Sequence, residues 1–154
     1  MSSIKCSFFL LCWLLLPWGG QAQDLPPVTW TFQAEQVSPQ TYKVLLTATM
    51  ERPWSIYSQD TPEGGPLPTT IAFHPNPLIL PQGSIREIGT RHRKQDSTFG
   101  VEVYYYRHTV TFEQQVRLRS NVTTALSGIV EFMACDDTRC LPPQTVAFTI
   151  PLER

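Results

Sequence analysis

The sequence predicts an all-β fold, an immunoglobulin-like antiparallel β-sandwich, and three observations carry that prediction. Successive segments alternate apolar and polar side chains with a period of two, the pattern of half-buried strands. No segment sustains a helical period of apolar residues. Prolines, 14 in the whole chain, punctuate the alternating segments and divide them into short strands joined by turns. Short strands in that arrangement bury their apolar faces by packing two sheets together.

Each element can be read in order. The segment VTWTFQA places Val28, Trp30, Phe32 and Ala34 on one face and Thr29, Thr31 and Gln33 on the other. TYKVLLTATM does the same with Tyr42, Val44, Leu46, Ala48 and Met50. VEVYYYRHTVTF is expected to turn Tyr104, Tyr106, His108, Val110 and Phe112 inward. GIVEFMAC contributes Val130, Phe132 and Ala134, and TVAFTIPL contributes Val146, Phe148, Ile150 and Leu152. Two stretches resist a strand reading. SQDTPEGGPLPTT, Ser58 to Thr70, is a polar turn-former, and GTRHRKQDSTFG, Gly89 to Gly100, reads as a charged loop closed by an aromatic and a glycine.

The start of the chain is expected to be a leader, not part of the fold. Residues 1–22 carry one charge at Lys5, an apolar run from Phe8 to Trp18, and small residues at Gly20 and Ala22. That is the layout of a secretory signal peptide cut after Ala22, with an apolar run too short to span a membrane comfortably. Residues 23–154 then form one domain of 132 residues, enough for a real core. Removing Lys5 from 12 basic and 13 acidic residues leaves 11 against 13, a formal charge of −2. No basic surface argues for nucleic acid or an anionic membrane, and a monomer is expected.

Of the four cysteines, Cys6 and Cys12 leave with the leader, so Cys135 and Cys140 remain, in a compartment that tolerates disulfides. They flank the turn DDTR, between two strand-like runs. Opposed Cα atoms of an antiparallel pair stand about 4.5–5.5 Å apart, within reach of a disulfide. A loop this short gains roughly 2 kcal/mol from closure, against about 4.7 for a loop of a hundred residues. A staple would do more by joining distant strands, whereas exchange requires sulfurs reachable from one side. Spacing alone leaves a structural staple, a redox pair and part of a metal site all open. A metal would need further ligands, and His74, His92 and His108 do not stand at ligand spacing.

The charges around the pair point in opposite directions. Asp136 and Asp137 disfavour a thiolate at Cys135, while Arg139 favours one at Cys140. Aspartates also occur in turns for backbone reasons alone, and that is the simpler reading of DD.

LPQG (Leu80 to Gly83), DSTFG (Asp96 to Gly100) and VEFMACDDTRCLPP (Val130 to Pro143) follow one another in order. Together with WSIYSQDTPEGGPLPTTIAF (Trp54 to Phe73), they resemble the N-terminal periplasmic domain of the DsbD family of thiol:disulfide interchange proteins, in its stand-alone version. The resemblance covers roughly Val28 to Leu152. It implies an immunoglobulin-like sandwich with a redox cysteine pair near one end and no cofactor. Electrons would come from a thioredoxin-like donor and pass to oxidised thiol proteins of the periplasm of a Gram-negative-type bacterium. A membrane electron transporter would be encoded separately.

The same resemblance assigns residues. Cys140 would form the mixed disulfide with partners and Cys135 would resolve it, a reaction of the protein-disulfide reductase type. A cap loop would span Lys94 to Gly100, with Asp96, Thr98, Phe99 and Gly100 shielding the pair and Phe99 as the shield itself. Tyr57 would lie near the pair, beside Asp136, Asp137 and Arg139. The chain departs from the best-known members by one residue fewer between the cysteines and by an aromatic one place later in the cap. A second reading stays open: a non-catalytic sandwich that binds another protein, its disulfide pinning a turn.

Overall fold

The computed structural model describes residues 26–97 and 99–153. The leader expected over 1–22 lies outside them, as does Thr98. Among the described residues nine strands run in order: β1 Val28–Ser38, β2 Thr41–Met50, β3 Ser55–Tyr57, β4 Thr70–Phe73, β5 Ile79–Gln95, β6 Glu102–Leu118, β7 Thr124–Phe132, β8 Ala134–Cys135 and β9 Gln144–Leu152. Six form a large sheet in the order β1-β2-β6-β3-β8, with β5 on the other side of β6. β4, β7 and β9 form a second sheet, and all pairs are antiparallel. Packed together they make the immunoglobulin-like sandwich that the alternation predicts.

The core follows the period-two pattern almost residue by residue. Tyr42, Val44, Leu46, Ala48 and Met50 of β2 are buried, as are Val130 and Phe132 of β7 and Phe148, Ile150 and Leu152 of β9. Trp30 of β1 packs against Phe112 and Phe132, with ring centroids 5.8 and 5.4 Å apart. Aromatic contacts of this kind add to the area they remove from water.

Strand β6 organises the end of the molecule that matters here. Its C-terminal part pairs with β2 from Thr109 to Arg117, and its N-terminal part pairs with β3 from Tyr105 to Arg107. His108 stands at the change of partner with φ 66°, in the left-handed region. Its expected inward position is therefore wrong: His108 is exposed, while Tyr106, Val110 and Phe112 are buried as expected and Tyr104 is half-buried.

The charged stretch from Gly89 also differs from expectation. Gly89 to Gln95 continue β5, which pairs with β6 as far as Gln95 opposite Glu102, and among the described residues of the stretch only Asp96, Ser97, Phe99 and Gly100 are outside the strand. Strand β5 lies at the edge of its sheet and carries Arg86, Arg91, Arg93 and Lys94, so it shows no apolar alternation to read. The polar stretch after Tyr57 is loop as far as Thr69, as its composition predicts.

Candidate redox site

Strand β3 is three residues long and buried throughout, because its two faces serve two different clusters. Ile56 pairs with Tyr106 and Ala134, and all three belong to the main core. Ser55 and Tyr57 point the other way. Ser55 pairs with Cys135 and Tyr57 with Tyr105, on the outer face of the large sheet. There Tyr57, Val103 and Cys135 form a second small cluster, with Val101, Tyr105 and Met133 packed against it.

Cys135 and Cys140 are joined in a disulfide, Cα atoms 4.0 Å apart, and face each other as an isolated antiparallel bridge. The Asp136 amide donates to the Arg139 carbonyl at 2.9 Å, and the Leu141 amide donates to the Ala134 carbonyl at 2.8 Å. The Asp136 carboxylate closes the turn from inside. Its Oδ1 accepts from the Thr138 amide (2.7 Å), the Thr138 hydroxyl (2.8 Å) and the Arg139 amide (2.8 Å). Those bonds, those to Thr138 first, hold its carboxyl below the usual aspartate range. Asp136 thus serves the backbone of the turn, and Asp137 is paired with Arg107 at 3.2 Å.

The two sulfur-bearing residues differ sharply in exposure. Cys135 is 1% exposed, clustered with Tyr57 and Val103, and its carbonyl accepts a hydrogen bond from the Ser55 hydroxyl at 3.0 Å. Cys140 is exposed. Its neighbour Arg139 places its guanidinium 5.6 Å from the centroid of the Trp54 ring.

The β5–β6 hairpin tip approaches the cluster through Asp96. Asp96 is buried and raises the pKa of Tyr57, which burial first, then Asp96 and Tyr105, push up to about 12. The Asp96 carboxylate accepts from the Phe99 amide at 3.3 Å and lies 3.6 Å from the Lys94 ammonium. Gly100 closes the tip at φ 72°, a conformation glycine takes without a Cβ penalty. Phe99 is 42% exposed and stands outside the small cluster.

Cys135, Cys140, Tyr57, Asp136, Asp137 and Arg139 are thus brought to one end of the sandwich, with Asp96 beside Tyr57. Val103, Tyr105, Met133, Trp54, Ser55 and Arg107 join them without having been singled out in the sequence. Val103 carried a usable signal. The alternation of VEVYYY has two faces, and the one opposite Tyr104 and Tyr106 carries Val101, Val103 and Tyr105, apolar enough to be covered as well. Among the described residues no group of three or more His, Cys, Asp or Glu is placed to hold a metal ion.

Solved structures resemble this one at low sequence identity. The reduced DsbD N-terminal domain of Neisseria meningitidis is 18% identical with a TM-score of 0.53, the match covering 82% of this chain and 88% of that one. The N-terminal periplasmic domain of ScsB from Proteus mirabilis is 17% identical with a TM-score of 0.51, over 81% of this chain and 44% of that one. These likenesses show the sandwich fold. No curated protein matches the chain in sequence. Residues 22–152 match the family described as thiol:disulfide interchange protein DsbD, N-terminal, and the chain belongs to that family as a thiol:disulfide interchange module bearing a Cys135–Cys140 disulfide.

Proposed function

We propose that the chain is exported to the periplasm and passes electrons from a thioredoxin-like donor to oxidised envelope proteins. The observation that carries this reading is the asymmetry of the pair, a buried Cys135 bonded to an exposed Cys140. A donor thiolate attacks Sγ of Cys140, the sulfur it can reach, and Cys135 leaves as a thiolate. The donor's second thiol then releases Cys140, and the pair is reduced by two electrons. In the forward transfer, Cys140 attacks a partner disulfide and forms a mixed disulfide. Cys135 attacks Cys140 in turn, so the internal disulfide reforms and the partner leaves as a dithiol. Asp96, Phe99 and Gly100 form the tip that screens the reduced pair, with Phe99 as its outermost aromatic.

The deciding experiment is the reduction potential of the Cys135–Cys140 pair in glutathione or dithiothreitol buffers. A value of about −180 to −270 mV matches interchange proteins, and Cys135→Ala is then expected to accumulate mixed disulfides through Cys140. A value below about −300 mV marks a structural bond and returns the chain to the binding-module reading.

A further inference from the structure

Beside the disulfide turn lies a cavity of about 290 Å³ that the exchange steps above do not use. Met50 and Trp54 supply its apolar part, and Arg52, Arg107, His108 and Asp137 its polar part. Three elements meet there: the end of β2, the turn leading into β3, and the point where β6 changes partner. Asp137 belongs to the turn between the cysteines, and Arg139, adjacent to Cys140, rests over Trp54. The cavity is therefore within one turn of chain from the exposed sulfur.

Its charges do not cancel. Arg107 is paired with Asp137. Arg52 is exposed and makes no ion pair or hydrogen bond among the described residues, so one cation stays uncompensated beside an apolar surface. This occurs in a chain whose formal net charge is −1. His108 is the second observation. It has the one positive φ among the described non-glycine residues, and that backbone conformation sets it on the cavity wall, where the strand's alternation would have sent it to the core. Outliers of this kind gather at binding sites.

We propose that this cavity is a specificity pocket of the exchange site, and that it takes an aspartate or glutamate flanking the reacting cysteine of a protein partner. The proposal rests on the exchange reading given above. The carboxylate meets Arg52 and the His108 ring, and its methylene stem packs on Trp54 and Met50. Guanidinium groups suit carboxylates by geometry as well as charge. A charge at the rim of an encounter surface selects partners and sets association rate more than it tightens binding.

The test uses the purified, reduced protein and three capped cysteine peptides, each a mixed disulfide with 5-thio-2-nitrobenzoate. They differ only in the residue next to cysteine: Glu, Gln or Lys. The Cys140 thiolate attacks the peptide sulfur, and the electron pair of the broken bond leaves on thionitrobenzoate, whose absorbance is read. Cys135 then closes the internal disulfide and releases the peptide thiolate, so the protein loses two electrons and the probe gains them. The Glu peptide is expected to react about two- to five-fold faster than the Gln peptide, and the Lys peptide more slowly, with the differences shrinking in salt. A general field from a net-negative protein would give the opposite order.

Arg52→Gln and His108→Gly should each move the Glu-to-Gln ratio toward one. Arg119→Gln, which removes the same charge at the far end of β6, should leave it. Equal rates for all three peptides, a ratio that survives Arg52→Gln, or a ratio lowered as much by Arg119→Gln each overturn the pocket while leaving exchange intact. Failure to reduce any peptide overturns the exchange reading, and this proposal with it.

Discussion

On the inner face of the large sheet, Tyr42, Val44, Leu46, Val110 and Phe112 recur at every second residue and fill one continuous core. On its outer face the buried apolar residues are Tyr57, Val103 and Cys135, gathered at one end. Elsewhere that face is mostly polar, as where Glu113 sits between Arg86 and Lys43, and its apolar side chains there, Leu45 and Ile88, are not fully buried. The inner cluster is made by long regular strands. The outer one is made by interruptions: a three-residue β3, a two-residue β8, a hairpin tip, and a strand that changes partner at His108. The difference separates what holds the domain together from what exposes one sulfur of a buried pair.

Breaking the inner cluster should cost most. Phe132 is fully buried against Trp30, and Phe132→Ala is expected to lose about 3–5 kcal/mol in denaturant unfolding. A loss near that of the disulfide would mean that the sheets do not share one core. Removing the outer bond, as Cys135→Ala with Cys140→Ala, should cost only about 2 kcal/mol, leave the far-ultraviolet circular dichroism unchanged, and abolish exchange. Unfolding of the double variant would make the bond a staple.

His108→Gly sharpens the comparison at a smaller scale. Glycine accepts φ 66° freely, so stability should hold or rise by up to about 1 kcal/mol. A loss larger than that would show that the imidazole supports the fold directly. The smallest effect is the Asp136 turn. Its carboxyl pKa is lowered, so its contribution is fully present above the ordinary aspartate value of about 4 and fades as pH falls through the lower folded value. Amide protection of Thr138 and Arg139 should follow that course. A carboxyl titration by NMR with an ordinary midpoint would contradict it.

Much of this could be read before folding was considered. Tyr42 to Met50 and Phe148 to Leu152 announce their buried faces because a strand between core and solvent must alternate. CDDTRC announces a closable pair because the turn is short. Strand β5 was missed because an edge strand is recognised by its pairing with β6, not by apolar residues of its own. His108 was misplaced because alternation assumes an unbroken strand.

By itself, then, the sequence determined the sandwich, the family and the two cysteines that meet, since each follows from local periodicity or from a short ordered motif. The resemblance pointed to Cys140 as the sulfur that partners reach, but how Cys135 comes to be buried was decided by tertiary structure. So was the second use of the large sheet's outer face, where Tyr57, Val103 and Cys135 form a buried cluster. Burial there depends on residues far apart in the chain, brought together by β6 pairing with β2, β3 and β5 along its length. No local pattern in the sequence encodes that crossing.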